Sequence, residues 1–200
     1  IPETVKTLEI ECGAFEGCKN LTSIIIPDSI LEIGESAFEN TTITTLTIPD
    51  SVTIIGQAIL RGVSTLTELT VPFIGQEVDS SETLGYFFGA TDKDGFEEVV
   101  QNLNHYNLPL NLHTVSITND TTIPNYAFAN CASISAVNVL DEVTSIGDYA
   151  FNGCTYLTSF NGAGLNLPAS LVSIGDYAFA EVLMTVVLIL PDDLETIGEF

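Results

Sequence analysis

The chain is 200 residues long, with 27 acidic side chains against four basic ones (Lys6, Lys19, Arg61 and Lys93) and a net charge of −23. A field of that sign repels phosphate backbones and anionic lipid surfaces, which argues against a nucleic acid partner and favours basic or metal-bridged ligands. No apolar run approaches the roughly 20 residues needed to span a bilayer, the longest being Leu183 to Leu190, interrupted by Thr185.

Taken in order, the chain repeats itself. Strand-like halves begin at Leu21, Ile43, Leu66, Leu112, Ile134, Leu157 and, in a degenerate copy, Thr185, with steps of 22, 23, 46, 22, 23 and 28 residues. Such a period signals a solenoid, because one unit alone is too small to bury its apolar side. Within a unit, the alternation in Ile24-x-Ile26 or Leu46-x-Ile48 has the two-residue period of a strand with one buried face. Pro27 and Pro49 end that strand, and Asp28-Ser29 and Asp50-Ser51 supply turn chemistry. Gly34, Gly56, Gly147, Gly175 and Gly198 mark a tight bend. The acid that follows (Glu35, Asp148, Asp176, Glu199) is placed to start and cap a short helical turn. Stacking the units predicts a ladder of Phe15, Phe38, Leu60, Phe128, Phe151 and Phe179. Cys18, Cys131 and Cys154 sit three residues after a ladder Phe, where other units carry Thr41, Val63 and Val182, so they read as reduced core thiols. The first residues, Ile1 to Val5, match Ile26 to Ile30, and Ile197 to Phe200 also falls mid-repeat. The chain therefore reads as a mature or excised piece of a longer product.

Two places break the beat. Gly162 to Asn166 is a small glycine-rich bulge. The larger break runs from Phe73 to Asn111, one enlarged unit in which Leu84 to Gly89 is a distorted Ile-Gly-x-x-Ala-Phe. After it, Asp94 to Leu103 has apolar residues at helical spacing, with Asp94 as a possible cap. Long excursions from a repeat scaffold are often functional.

The phrase Leu-x-x-Ile-x-Ile-Pro followed by Ile-Gly-x-x-Ala-Phe-x-x-Cys resembles the BspA-like leucine-rich repeats, the type also found in treponemal repeat proteins, over nearly the whole chain. Val71 to Gly75 followed by Leu84 to Ala90 resembles an enlarged unit in such proteins from gut Firmicutes. The slot that holds Asn or Cys in ordinary leucine-rich repeats carries Ser29, Ser51 and Ser170 here, which favours the BspA-like class. The resemblance implies an α/β repeat, a right-handed solenoid with a parallel β-sheet on one face and short helical turns or irregular structure on the other. It also implies a secreted or surface-displayed bacterial protein that binds other proteins or cells, with no catalytic residues.

The whole chain, 1–200, is thus expected to be a single solenoid domain and a monomer, with partial repeats at both ends and the enlarged unit at about 73–111. Strand positions between the core apolars should face outward and offer hydroxyls to a protein or glycan. Thr22, Thr45, Thr47, Glu68, Thr70, His113 and Ser116 are the ligand-binding candidates there. The enlarged unit adds exposed aromatic candidates Tyr86, Phe87, Phe96 and Tyr106. One column of carboxylates follows Pro or its equivalent (Glu3, Asp28, Asp50, Asp141, Asp192) and another follows Gly. Turn and cap chemistry explains both without a metal, although calcium between rungs would relieve their repulsion. Asp92-Lys93-Asp94-Gly95 begins like a calcium loop but lacks its remaining ligands. His105 and His113 have no Cys or Glu at metal spacing, and no Ser-His-Asp order or paired acid marks a catalytic cleft. The function expected is a non-catalytic binding module, adhesin-like and without a cofactor. The alternative is a structural spacer, calcium-stabilised or not, that presents a neighbouring domain.

Overall fold

In the computed structural model, residues 8–162, 164–183 and 188–199 are described. The readings that fall on Ile1 to Val5 (Glu3 among them), Ala163, Thr185 and Phe200 lie outside them. The strands are β1 (Leu8–Ile10), β2 (Ile30–Ile33), β3 (Thr45–Thr47), β4 (Ile54–Ile55), β5 (Glu68–Val71), β6 (Phe96–Gln101), β7 (Asn104–Pro109), β8 (Thr114–Ile117), β9 (Thr122–Ile123), β10 (Ala136–Asn138), β11 (Ser145–Ile146), β12 (Ser159–Phe160), β13 (Gly164–Asn166), β14 (Ser173–Ile174), β15 (Leu188–Ile189) and β16 (Thr196–Ile197).

Seven of them form one parallel sheet in the order β3-β5-β8-β10-β12-β13-β15. The chain returns through a second wall of parallel strands, built from the Ile-Gly half of each unit as β1-β2-β4 and β9-β11-β14-β16. This second wall replaces the short helical turns expected there. Its cause is local: Ile33, Ile55, Ile123, Ile146 and Ile174 point into the core. Except at Ile123, which precedes Pro124, a glycine follows, and its N–H bonds the isoleucine carbonyl one rung back, as in Gly34 to Ile10 (2.7 Å) and Gly147 to Ile123 (2.8 Å). The glycines do not serve as left-handed bends. A Cβ on Gly175 would lie 2.5 Å from the backbone nitrogen of Asp148, so the rungs approach too closely for any side chain there.

The left-handed backbone sits two residues later instead, on Ser36, Ala58, Tyr126, Tyr149 and Tyr177 (φ 53 to 61°), and again at Asn40, Asn130 and Glu181. Two such residues per turn are incompatible with an α-helical start. Among the described residues the only helix is a 3-10 turn at Leu84–Phe87, and no helix is long and apolar enough to cross a membrane.

Between the walls lies one apolar core. Phe128, Phe151 and Phe179 stack at 5.1 and 5.2 Å, and Phe15 stacks on Phe38 at 5.7 Å. Leu60 is fully buried in the expected place. Cys131 and Cys154 are buried and reduced, and burial pushes both thiols up. Cys18 departs from expectation: it is exposed, as is Cys12.

The enlarged unit does not interrupt the main sheet, since β5 pairs directly with β8 (Leu69 opposite Val115). The excursion is handled on the other sides. The N–H of Leu60 bonds the carbonyl of Phe87, and that of Leu84 bonds Ala127, so the 3-10 turn fills the gap between flanking turns. The helix expected over Asp94 to Leu103 is instead an antiparallel hairpin, β6 against β7. Asn102 and Leu103 at its tip both have positive φ (46 and 66°), the twist that a two-residue hairpin turn needs. Gln101, wholly buried, pins the hairpin: its Oε1 accepts the Gly85 N–H and its Nε2 donates to the Ala129 carbonyl at 3.1 Å. Asp120, also buried, holds the start of the excursion by accepting the N–H groups of Ile74 (2.8 Å) and Asp79 (2.9 Å). Burial raises its carboxyl to about 6, against the lowering effect of those two bonds.

Candidate binding face

The outer surface of the seven-stranded sheet carries three columns of side chains. The first joins Thr45, Glu68, Thr114, Ala136 and Ser159 in register, and the second Thr47, Thr70, Ser116 and Asn138. The third lies where the strands begin. There the N–H of Thr44 bonds Thr22, that of Thr67 bonds Thr44, that of His113 bonds Thr67, and the series continues to Ser135 and Thr158. Alternation across the strand sends Leu46, Leu69, Val115 and Val137 inward and leaves these residues outside.

Seven of the candidate residues therefore share this face: Thr22, Thr45, Thr47, Glu68 and His113 are exposed, while Thr70 and Ser116 are half-buried. The hydroxyls of Thr22, Thr45, Thr47 and Thr70 have no hydrogen-bond partner among the described residues. Others are spent on the scaffold. Thr67 donates to the Thr44 carbonyl at 3.0 Å, Ser135 to that of His113 at 3.3 Å, and Asn138 donates to the Ser116 hydroxyl at 3.0 Å.

The aromatic candidates are not part of that surface. Phe87 is fully buried, which corrects its reading as an exposed anchor. Tyr86 is half-buried; its hydroxyl donates to the Ile55 carbonyl and its ring meets Phe87 edge-on. Tyr106 packs over Gly85, whose missing Cβ makes room for the ring. Burial raises the phenols of both tyrosines. Phe96 is half-buried opposite Pro109 at the base of the hairpin.

The hairpin does shape a groove beside the third column. It has a volume of about 540 Å³, and its lining includes Glu97, Leu110, His113, Ser135 and Tyr156. Leu110 is 50% exposed and Tyr156 66%. Glu97 Oε1 accepts the Ser133 N–H at 3.1 Å. His113 Nδ1 lies 3.2 Å from the Ser133 carbonyl, which can only accept, so Nδ1 carries the proton there.

On the second wall, Asp148 and Asp176 do not cap their own turns. Like Asn125, which follows Pro124, each accepts an amide from the next rung: Asn125 Oδ1 from Asp148, Asp148 Oδ1 from Asp176, and Asp176 Oδ1 from Glu199, all at 2.8 Å. Beside them Tyr126, Tyr149 and Tyr177 form a stack at 5.0 and 5.1 Å, which was not anticipated from the sequence. The recurrence of Tyr two residues before Phe128, Phe151 and Phe179 is the signal in the sequence. Asp50, in the other acidic column, accepts from the Thr118 hydroxyl at 2.5 Å. Among the described residues no three His, Cys, Asp or Glu side chains are grouped to hold a metal. His105 pairs with Glu98 on the exposed hairpin at 2.6 Å.

No curated protein matches the chain in sequence. Similar solved structures include a leucine-rich repeat protein from Bacteroides ovatus ATCC 8483, at 20% identity and TM-score 0.36 over 99% of this chain and 67% of that one. Another is a leucine-rich repeat protein of T. pallidum, at 22% identity and TM-score 0.49 over 94% and 73%. A third is a leucine rich cell surface protein from Faecalibacterium prausnitzii A2-165, at 22% identity and TM-score 0.34 over 100% and 58%. The BspA type leucine rich repeat region matches in six copies, over residues 1–83 and 121–200, leaving out the part of the enlarged unit that holds the hairpin. With its repeats matched over most of its length and stacked as a solenoid, the chain belongs to the BspA type leucine-rich-repeat family.

Proposed function

We propose that this chain is a non-catalytic protein-binding module that works outside the bacterial cell, as one monomeric solenoid over 1–200 with its enlarged unit at about 73–111. The observation that carries the reading is the sheet face, where the hydroxyls of Thr22, Thr45, Thr47 and Thr70 have no hydrogen-bond partner among the described residues. Unsatisfied hydroxyls on a rigid, parallel-stranded surface are pre-organised for hydrogen bonds across an interface. Glu68 adds a carboxylate to the same columns, which suits a partner with basic groups.

The test is a surface-plasmon-resonance panel of immobilised extracellular matrix and bacterial surface proteins, run with the native chain and with Thr47→Arg/Ser116→Arg. A bound partner is expected to lose at least about tenfold in affinity with the double variant, as buried central contacts do. Binding unchanged by the substitutions would overturn the choice of face. A panel with no binder would favour the spacer reading, which has its own support in the tyrosine and carboxylate ladders that tie rung to rung.

A further inference from the structure

We infer that the groove between the β6–β7 hairpin and the strand-entry column is a subsite for an arginine side chain of a basic protein partner; this rests on the protein-binding reading above. The lining of the groove combines two chemistries. Leu110 and Tyr156 offer an alkyl surface and a largely exposed ring. The remaining lining residues include hydrogen-bond acceptors. Glu97 is a half-buried carboxylate that gives one oxygen to the Ser133 amide and has no cationic partner among the described residues. Among those residues Arg61 pairs with Glu39, and His105 is hydrogen-bonded to Glu98. Nδ1 of His113 donates to the Ser133 carbonyl, which leaves Nε2 as the ring's other polar atom, an acceptor in the Nδ1–H tautomer. The hydroxyls of Ser135 and Thr158 extend that row.

A ligand that fits needs an apolar stem, a flat cationic head and several donors in one plane. Guanidinium has all three: it stacks on aromatic faces and donates through five N–H groups, whereas ammonium is a compact point charge. The net charge of −23 attracts such a partner and repels acidic ones. At about 540 Å³ the groove exceeds one side chain and leaves room for the flanking backbone. Because the third column runs through His113, Ser135 and Thr158, an arginine seated here lies beside the main sheet face.

The experiment titrates the labelled native chain with N-acetyl-Gly-Arg-Gly-amide and follows backbone and ring resonances by NMR. Parallel arms use the citrulline peptide, the lysine peptide and a neutral disaccharide. Saturable shifts at Leu110, Ser133 and Tyr156 are expected with the arginine peptide alone at full strength, weaker with lysine and absent with citrulline. Glu97→Gln, which keeps the oxygen that accepts the Ser133 amide, and Tyr156→Ala, at an exposed site, should each weaken binding about tenfold. Shifts scattered over the acidic surface and unchanged in Glu97→Gln would overturn the inference. So would shifts at the same residues with the disaccharide and none with arginine. If the sheet face binds a protein but the groove ignores the peptide, the subsite alone falls. If the panel finds no partner and the peptide still binds as described, the subsite stands without the wider reading.

Discussion

At the scale of single residues, stability is concentrated where one side chain touches two neighbouring rungs. Phe151 stacks on Phe128 and Phe179 and meets Phe160 edge-on, with no solvent exposure. Phe151→Ala should lower the unfolding free energy by ~3–5 kcal/mol in urea denaturation, through lost burial and a cavity that the rungs cannot collapse around. Asp120 makes a different prediction. Its carboxyl titrates at about 6 in the folded chain against an ordinary 3.8, so folding favours the protonated form. That contribution is complete below pH 3.8 and is lost as pH rises through about 6. Its full size is roughly 3 kcal/mol, of which about 1 kcal/mol should appear between pH 7 and pH 5. Urea unfolding at those two pH values should show a larger gain on acidification for the native chain than for Asp120→Asn. The nearest charge facing Asp120 is Asp79, which accepts from Thr121.

At the scale of elements, the hairpin depends on one buried amide. Replacing Gln101 with Leu leaves the Gly85 N–H and the Ala129 carbonyl unpaired, at about 1–3 kcal/mol for each buried group. Hydrogen exchange should report faster opening of β6, β7 and the 3-10 turn, while β10, β11 and β14 keep their protection. This element also shows what a sequence withholds. The apolar period of each regular unit was legible because burial acts on every copy alike. The segment Phe96-Glu97-Glu98-Val99-Val100-Gln101 satisfied a helical spacing as readily as an alternating one. Its turn, Asn102-Leu103, lacks the glycine that usually advertises a hairpin, so nothing local separated the two readings. The turns are ambiguous for a related reason. Gly-Asp-Tyr-Ala-Phe is a plausible helix start, and only packing between rungs forces Tyr149 into a left-handed conformation. On the sheet face, outward positions follow from alternation, but which hydroxyls stay free depends on bonds to a neighbour one repeat away, such as that of Thr67 to Thr44. The aromatic candidates failed because enclosure by the hairpin and the 3-10 turn cannot be seen in a unit taken alone.

At the scale of the whole molecule, repulsion among the carboxylates should be the dominant electrostatic term. Added sodium chloride is expected to raise the melting temperature by screening it. A chelator should leave the melting temperature unmoved, because Asp148 and Asp176 on the second wall are already engaged by backbone amides, and no three potential ligands are grouped among the described residues. A drop of several degrees on chelation would instead place calcium between the rungs.

The amide-accepting ladder has a direction. In every step from Asn125 to Asp148, Asp176 and Glu199, the earlier rung supplies the oxygen and the later rung the N–H. A rung leaving a ribosome thus finds its acceptor already in place, and what it exposes in turn is a carboxylate that water solvates readily. Within this ladder, removing a rung from the front would orphan a backbone donor, and removing one from the back would orphan an anion, along with the Tyr177 N–H that bonds the Glu199 carbonyl. On this wall the stack is polar in the sense that a filament is polar, with ends that are chemically unequal.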